Sequence, residues 1–152
     1  MPTFYRIVGS HRAATALDGE GAKRMGGRWN PQGIAAAYLT ESRALAALEI
    51  MVHFGREVVN ASWAIIEVEV PSPLIDTISP KDLPRGWNDR KSLAVPQHFG
   101  RKWLEAGKSA AILLPSAIIS QENILLLNPL HPDFTKISSS RPAEFFFDTR
   151  LG

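Results

Sequence analysis

Polar and apolar positions along the chain mark out a series of short elements. "TFYRIV" (3–8) alternates the two classes and is rich in β-branched and aromatic residues, which predicts a strand. A loop rich in Gly and Ala is expected from Gly9 to Gly27. "NPQG" (30–33) has the residues of a type I turn, with Asn30 first, Pro31 second and Gly33 fourth. "IAAAYLT" (34–40) reads as a short, largely buried strand. Thr40 or Ser42 can cap a helix running to about His53, which Gly55 would stop. "SWAIIEVEV" (62–70) shows the clearest alternation of all. Pro71 and Pro73 end it, and a loop carrying Pro80, Pro84 and Gly86 follows. Pro96 suits the first turn of a second helix, "PQHFGRKWLEAG", with Phe99, Trp103 and Leu104 on one side and Gly107 as its stop. "AAILLP" (110–115), "NILLLN" (123–128) and "AEFFFD" (143–148) predict three more strands.

Strands outnumber helices in this order, and they do not alternate regularly with them. The expectation is an α+β fold rather than a doubly wound sheet. A chain of 152 residues without repeats, low-complexity tracts or a long linker fits one domain spanning 1–152. No apolar run approaches the roughly 20 residues needed to cross a bilayer, and the N-terminus lacks a signal peptide's apolar region. Cysteine is absent, which excludes disulfides and thiolate chemistry. A cytoplasmic protein without membrane contact is expected. The formal net charge of +2 is too small to argue nucleic-acid binding, and the basic residues are not blocked together. Eleven of the 17 basic residues are arginine, whose guanidinium fork suits phosphate or carboxylate, although surface solubility also explains most of them.

Glu49 changes this picture. On the first predicted helix Leu45, Leu48 and Val52 flank it, so a carboxylate lies on an apolar stripe. Such a group must be paired, hydrogen-bonded or protonated. It is either a helix-rim or ion-paired residue, or an acid at the floor of a cleft that stabilises developing positive charge. Arg28, in "GGRW", is either an exposed residue of a tight turn or a phosphate clamp that the glycines let a ligand approach. Tyr38 is either a core aromatic with a satisfied hydroxyl or a flat face for a ligand ring. Ser116, just past Pro115, is placed at a strand end, but no G-x-S-x-G surrounds it to suggest a serine hydrolase. His11, His53, His98 and His131 show no metal-ligand spacing, so no metal is expected. GxGxxG and P-loop fingerprints are also absent.

Taken together, "GGRWNPQG", "AAYLTES", "ALAALEIMVHF" and "LLPSAIISQENILLLNPLHPDF" resemble the RES domain, the toxin of bacterial Xre–RES toxin–antitoxin pairs. The resemblance runs from "FYRIV" to "RPAEFFFD". It implies a fold similar to ADP-ribosyltransferases of the diphtheria-toxin type, with small mixed sheets around a cleft for NAD⁺. It implies an enzyme that degrades NAD⁺ or transfers its ADP-ribose to a protein. The family's motif positions fall on Arg28, Tyr38, Glu49 and Ser116, and also on Arg6 in the first strand. Glu49 would then take the ribose hydroxyl and the oxocarbenium charge, and Arg28 the diphosphate. Tyr38 would stack near the nicotinamide, and Ser116 would bond the ligand or orient Glu49. An Xre-type helix-turn-helix antitoxin that occludes the cleft is the implied partner, and DNA contact would belong to that partner. An RNase toxin or a non-catalytic interaction domain is the competing class. An RNase usually wants converging His/Glu/Arg groups and a more basic groove.

Overall fold

The computed structural model describes residues 1–152. β1 (Thr3–Gly9) is followed by a 3-10 turn at Ser10–Thr15 and a six-residue helix, α1 (Glu20–Met25). The predicted loop from Gly9 to Gly27 is therefore partly helical. Asp18 Oδ1 accepts from the N–H of Glu20 at the start of α1, and the left-handed Gly26 ends it. A helix this short shows no periodicity, so the pattern could not reveal it.

The turn after α1 sits one residue later than the sequence implied. Ile34 N–H bonds Pro31 O at 3.3 Å, with Gly33 third in the turn at φ 95°, where its lack of a side chain is needed. The turn consumes Ile34, and β2 shortens to Ala37–Thr40. α2 (Arg43–Phe54) starts at Ser42, whose side chain accepts from Leu45 N–H, and stops at Gly55 with φ 61°. β3 (Trp63–Glu69) matches the alternating stretch. The Pro-rich loop after it holds an unforeseen strand, β4 (Ile75–Thr77). α3 (Ala94–Ala106) takes Pro96 in its first turn and ends at the left-handed Gly107. β5 (Ala111–Pro115), β6 (Asn123–Leu127) and β8 (Ala143–Phe145) fall where predicted, the last ending three residues early. A two-residue β7 (Ser138–Ser139) was not foreseen.

These strands form one eight-stranded sheet in the order β4-β5-β6-β2-β1-β3-β7, with β8 also on β3. Only β4 and β5 run parallel. Small separate sheets were expected; the strands are instead continuous, though barely so at one place. β1 and β3 share seven register pairs and β2 and β6 share four, but β1 meets β2 at Tyr5↔Thr40 alone. Beyond that pair the sheet opens, with β4-β5-β6-β2 on one side of the seam and β1-β3-β7-β8 on the other.

Both faces are covered, so β6 reads as a continuous apolar run rather than an alternating one. Leu125 and Leu127 join Phe4, Val8, Leu39 and Val68 in one cluster, while Ile124 and Leu126 join Trp29, Leu45 and Leu114 in another. A third gathers Ile7, Ala46, Val58, Trp63 and Phe147. α2 thus crosses the seam, because Leu45 packs with the β6 side and Ala46 with the β1 side. α3 lies so close to the segment after α1 that a Cβ on Gly100 would stand 1.7 Å from Trp29 O. No helix is long and apolar enough to cross a membrane.

Candidate functional site

Glu49 occupies the second turn of α2, half-buried beside exposed Leu48 and Val52. It forms no ion pair, so the arginine-paired reading of this residue does not hold. Its partner is Ser116, fully buried just past β5, whose Oγ donates to Glu49 Oε1 at 3.1 Å. That hydroxyl proton has a fixed direction, because Ser116 Oγ also accepts from the N–H groups of Ile118 (3.0 Å) and Ile119 (3.2 Å). Burial pushes the Glu49 carboxyl above its ordinary range, and the Ser116 bond and the nearby His53 and Arg28 charges partly oppose this. The result is an oriented carboxylate on an apolar wall.

Arg28 and Tyr38 belong to a second group. Arg28 Nη1 donates to Trp87 O (3.1 Å) and Asp89 O (2.9 Å), which ties the loop before α3 to the "GGRW" segment. Trp29 and Trp87 stack at 6.0 Å between centroids beneath this tie. Asp89 Oδ1 accepts from Lys91 and Ser92 N–H groups, which shapes the loop and holds the Asp89 carboxyl below its usual range. Tyr38 Oη accepts from Trp29 N–H (2.9 Å) and donates to Asn30 Oδ1 (2.6 Å), and burial pushes the phenol well above its ordinary range. The hydroxyl is therefore spoken for, and Tyr38 has only its ring to offer a ligand. Gly27 is required in this arrangement, since a Cβ there would stand 2.7 Å from Tyr38 Oη and 2.8 Å from Asn30 Oδ1.

Arg6 reaches this group across the seam, where its Nη1 donates to Tyr38 O at 2.8 Å. Its Nε is buried without a partner, and burial lowers its pKa, an unfavourable setting for a group that stays protonated. The structure thus joins Glu49 to Ser116 directly, and Arg6 and Arg28 to Tyr38 and its neighbours. No hydrogen bond links the two groups; the Arg28 charge acts on both Glu49 and Tyr38. A cavity of about 460 Å³ includes Arg6. A groove of about 630 Å³ between residues 82–85 and α3 includes none of the five.

Sequence reasoning missed Asn30 and Gln97. Asn30, read as a turn residue, is fully buried and bonds Ala22 O, Ile34 O and Tyr38 Oη. Gln97 on α3 donates to Gly27 O at 2.9 Å, a contact 70 residues apart that no local pattern reveals.

A RES domain model matches residues 3–148. The Toxin Res of Yersinia enterocolitica is 39% identical over 149 residues, covering 97% of this chain and 98% of that protein. The Prs ADP-ribosylating toxin of Sphingobium sp. is 36% identical over 154 residues, 98% of this chain and 96% of its own. With a family model matching nearly its whole length and full-length relatives at 35–39% identity, this chain belongs to the RES domain family. A 49-residue stretch is also 49% identical to NAD(+) phosphorylase MbcT of Mycobacterium tuberculosis, covering 32% of this chain and 25% of that one. The crystal structure of the M. tuberculosis MbcT–MbcA toxin–antitoxin complex superposes with a TM-score of 0.79 at 20% identity, covering 95% of this chain and 84% of that chain.

Proposed function

We propose that this protein is the toxin of a bacterial toxin–antitoxin pair and breaks the nicotinamide–ribose bond of NAD⁺, depleting the cytoplasmic pool and arresting growth. The observation that carries the reading is the Glu49–Ser116 pair: an oriented, half-buried carboxylate with no cationic partner. As the C1′–N bond breaks, its electron pair leaves with nicotinamide and C1′ develops oxocarbenium character. The Glu49 carboxylate stabilises that charge and holds the ribose hydroxyl. Nicotinamide departs neutral from a cationic ring, so no general acid is needed, and no metal is invoked. Ser116 keeps Glu49 in position. The guanidinium of Arg28 takes phosphate, and the Tyr38 ring backs the nicotinamide. Water or phosphate then attacks C1′. The NAD(+) phosphorylase activity in MbcT's name supports the phosphate acceptor.

A fold of the ADP-ribosyltransferase kind is part of the same reading, with the seam between β1 and β2 as its cleft. Transfer to a protein is the second reading, supported by the full-length similarity to an ADP-ribosylating toxin. The partner is an Xre-type helix-turn-helix antitoxin that covers the cleft. Exposed Leu48, Val52 and Ile118 beside Glu49 and Ser116 support such a covering surface. Expression in bacteria with quantification of NAD⁺ and RNA tests the proposal. NAD⁺ loss with intact RNA is expected, abolished by Glu49→Gln or Arg28→Ala at equal protein level; stable NAD⁺ would overturn it. Labelled NAD⁺ with purified protein and lysate then separates free product from labelled protein.

A further inference from the structure

β1, the turn at Ser10–Thr15 and α1 enclose the cavity of about 460 Å³, and its polar lining includes Arg6, His11, Arg12, Asp18, Glu20 and Arg24. None of its three arginines has an ion-pair partner; the ion pairs of the molecule are Arg43–Glu67, Arg101–Glu105, Lys136–Asp133 and Arg150–Asp148. Asp18 Oδ1 is already engaged by the N–H of Glu20. Arg6 spends Nη1 on Tyr38 O and leaves Nε buried and unpartnered. A guanidinium so placed is destabilised by desolvation, which the nearby Tyr38 and Asp18 only partly offset, while the Arg12 charge adds a smaller repulsion. An anion in the cavity would offset that desolvation.

Arg12, an exposed residue of the cavity lining, is available for such a contact. Its Nε donates to His11 Nε2 at 3.4 Å, and its Nη1 lies over Gly21, so its terminal nitrogens remain available. Guanidinium groups bind phosphate oxygens in bidentate fashion, and three arginines lining one cavity suit a phosphate group better than a monoanionic carboxylate. The cavity also adjoins the candidate site. Arg6 bonds Tyr38 O, and Asn30, which bonds Tyr38 Oη, holds α1 through Ala22 O at 2.8 Å.

We infer that this cavity is the subsite for the adenosine-side phosphate of the dinucleotide, with Arg12 and Arg24 as its positioning residues beside Arg6. The inference rests on the function proposed above. A substrate cleaved at Glu49 would run past Arg28 and Tyr38 and bring its distal phosphate to these arginines.

Steady-state nicotinamide release from NAD⁺ and from nicotinamide mononucleotide, which lacks that phosphate, tests it with the full chain. Both residues are exposed, so an Arg12→Ala/Arg24→Ala variant should fold normally. Its KM for NAD⁺ should rise by about tenfold or more, the loss expected from charge-assisted bonds, while kcat changes little. Its kinetics with the mononucleotide should be unchanged, and the Arg12→Lys/Arg24→Lys variant should recover part of the NAD⁺ affinity. An unchanged KM for NAD⁺, or an equal loss with both substrates, would overturn the inference. Titration with inorganic pyrophosphate separates it from the functional reading. If the wild type releases no nicotinamide, the proposed function fails, and the cavity assignment then stands or falls on whether the double alanine variant loses pyrophosphate binding.

Discussion

Glu49 is held between opposing demands. Burial favours its neutral form, and the Ser116 hydroxyl favours its charged form, with burial the larger influence. If the ionised carboxylate does the work, kcat falls as pH falls, with a midpoint above the 4.5 of an ordinary glutamate. Ser116→Ala removes the hydroxyl that stabilises the anion, so the midpoint of its pH–rate profile should move further up. Stability has the opposite sign. A carboxyl whose folded-state pKa is raised favours folding below its unfolded value of 4.5, and that contribution is lost as pH rises through the folded value. Glu49→Gln should therefore be at least as stable as wild type in denaturant at neutral pH, and its advantage should vanish below about 4.5. A less stable variant at neutral pH would contradict this. At this scale the sequence showed the anomaly but not its partner. Glu49 and Ser116 are 67 residues apart, and Ser after Pro looks like ordinary turn chemistry.

Helix α2 was legible nearly to the residue, because a Ser cap, an apolar stripe and a glycine stop coincide in "TESRALAALEIMVHFG". Short elements were not. α1, β4 and β7 have six, three and two residues, too few for a period to emerge, and pairing partners far along the chain decide them. Gly100 shows how tertiary contact overrides propensity. A glycine inside a helix weakens it locally, yet here nothing larger fits against Trp29 O. Gly100→Ala should therefore destabilise the fold by at least the 1–3 kcal/mol typical of overpacking, about the reverse of its helix-propensity gain. Equilibrium urea unfolding would check this. Since Trp29 follows Arg28, the same variant should also weaken substrate binding.

For the whole molecule, the α+β class was readable from element order, and the sheet order was not. Nothing in "TFYRIV" or "IAAAYLT" says that β1 and β2 meet at Tyr5↔Thr40 alone. Such a junction has few backbone bonds of its own, and α2 holds it through Leu45 on one side and Ala46 on the other. Native-state hydrogen exchange should show the seam-facing amides of β1 and β2 opening more readily than those between β5 and β6. Leu45→Ala, expected to cost about 2–5 kcal/mol, should widen that difference. Equal protection throughout would mean that the halves open only together.

On the proposed function, the narrow junction would also bear on how long the protein survives in a cell. A dinucleotide reaching from the α2 carboxylate to the β1 arginine would act as a cross-brace between the halves, stiffening the molecule only while substrate lasts. As the enzyme exhausts its own brace, it would open more often to proteases, so that its persistence is timed by the supply it consumes.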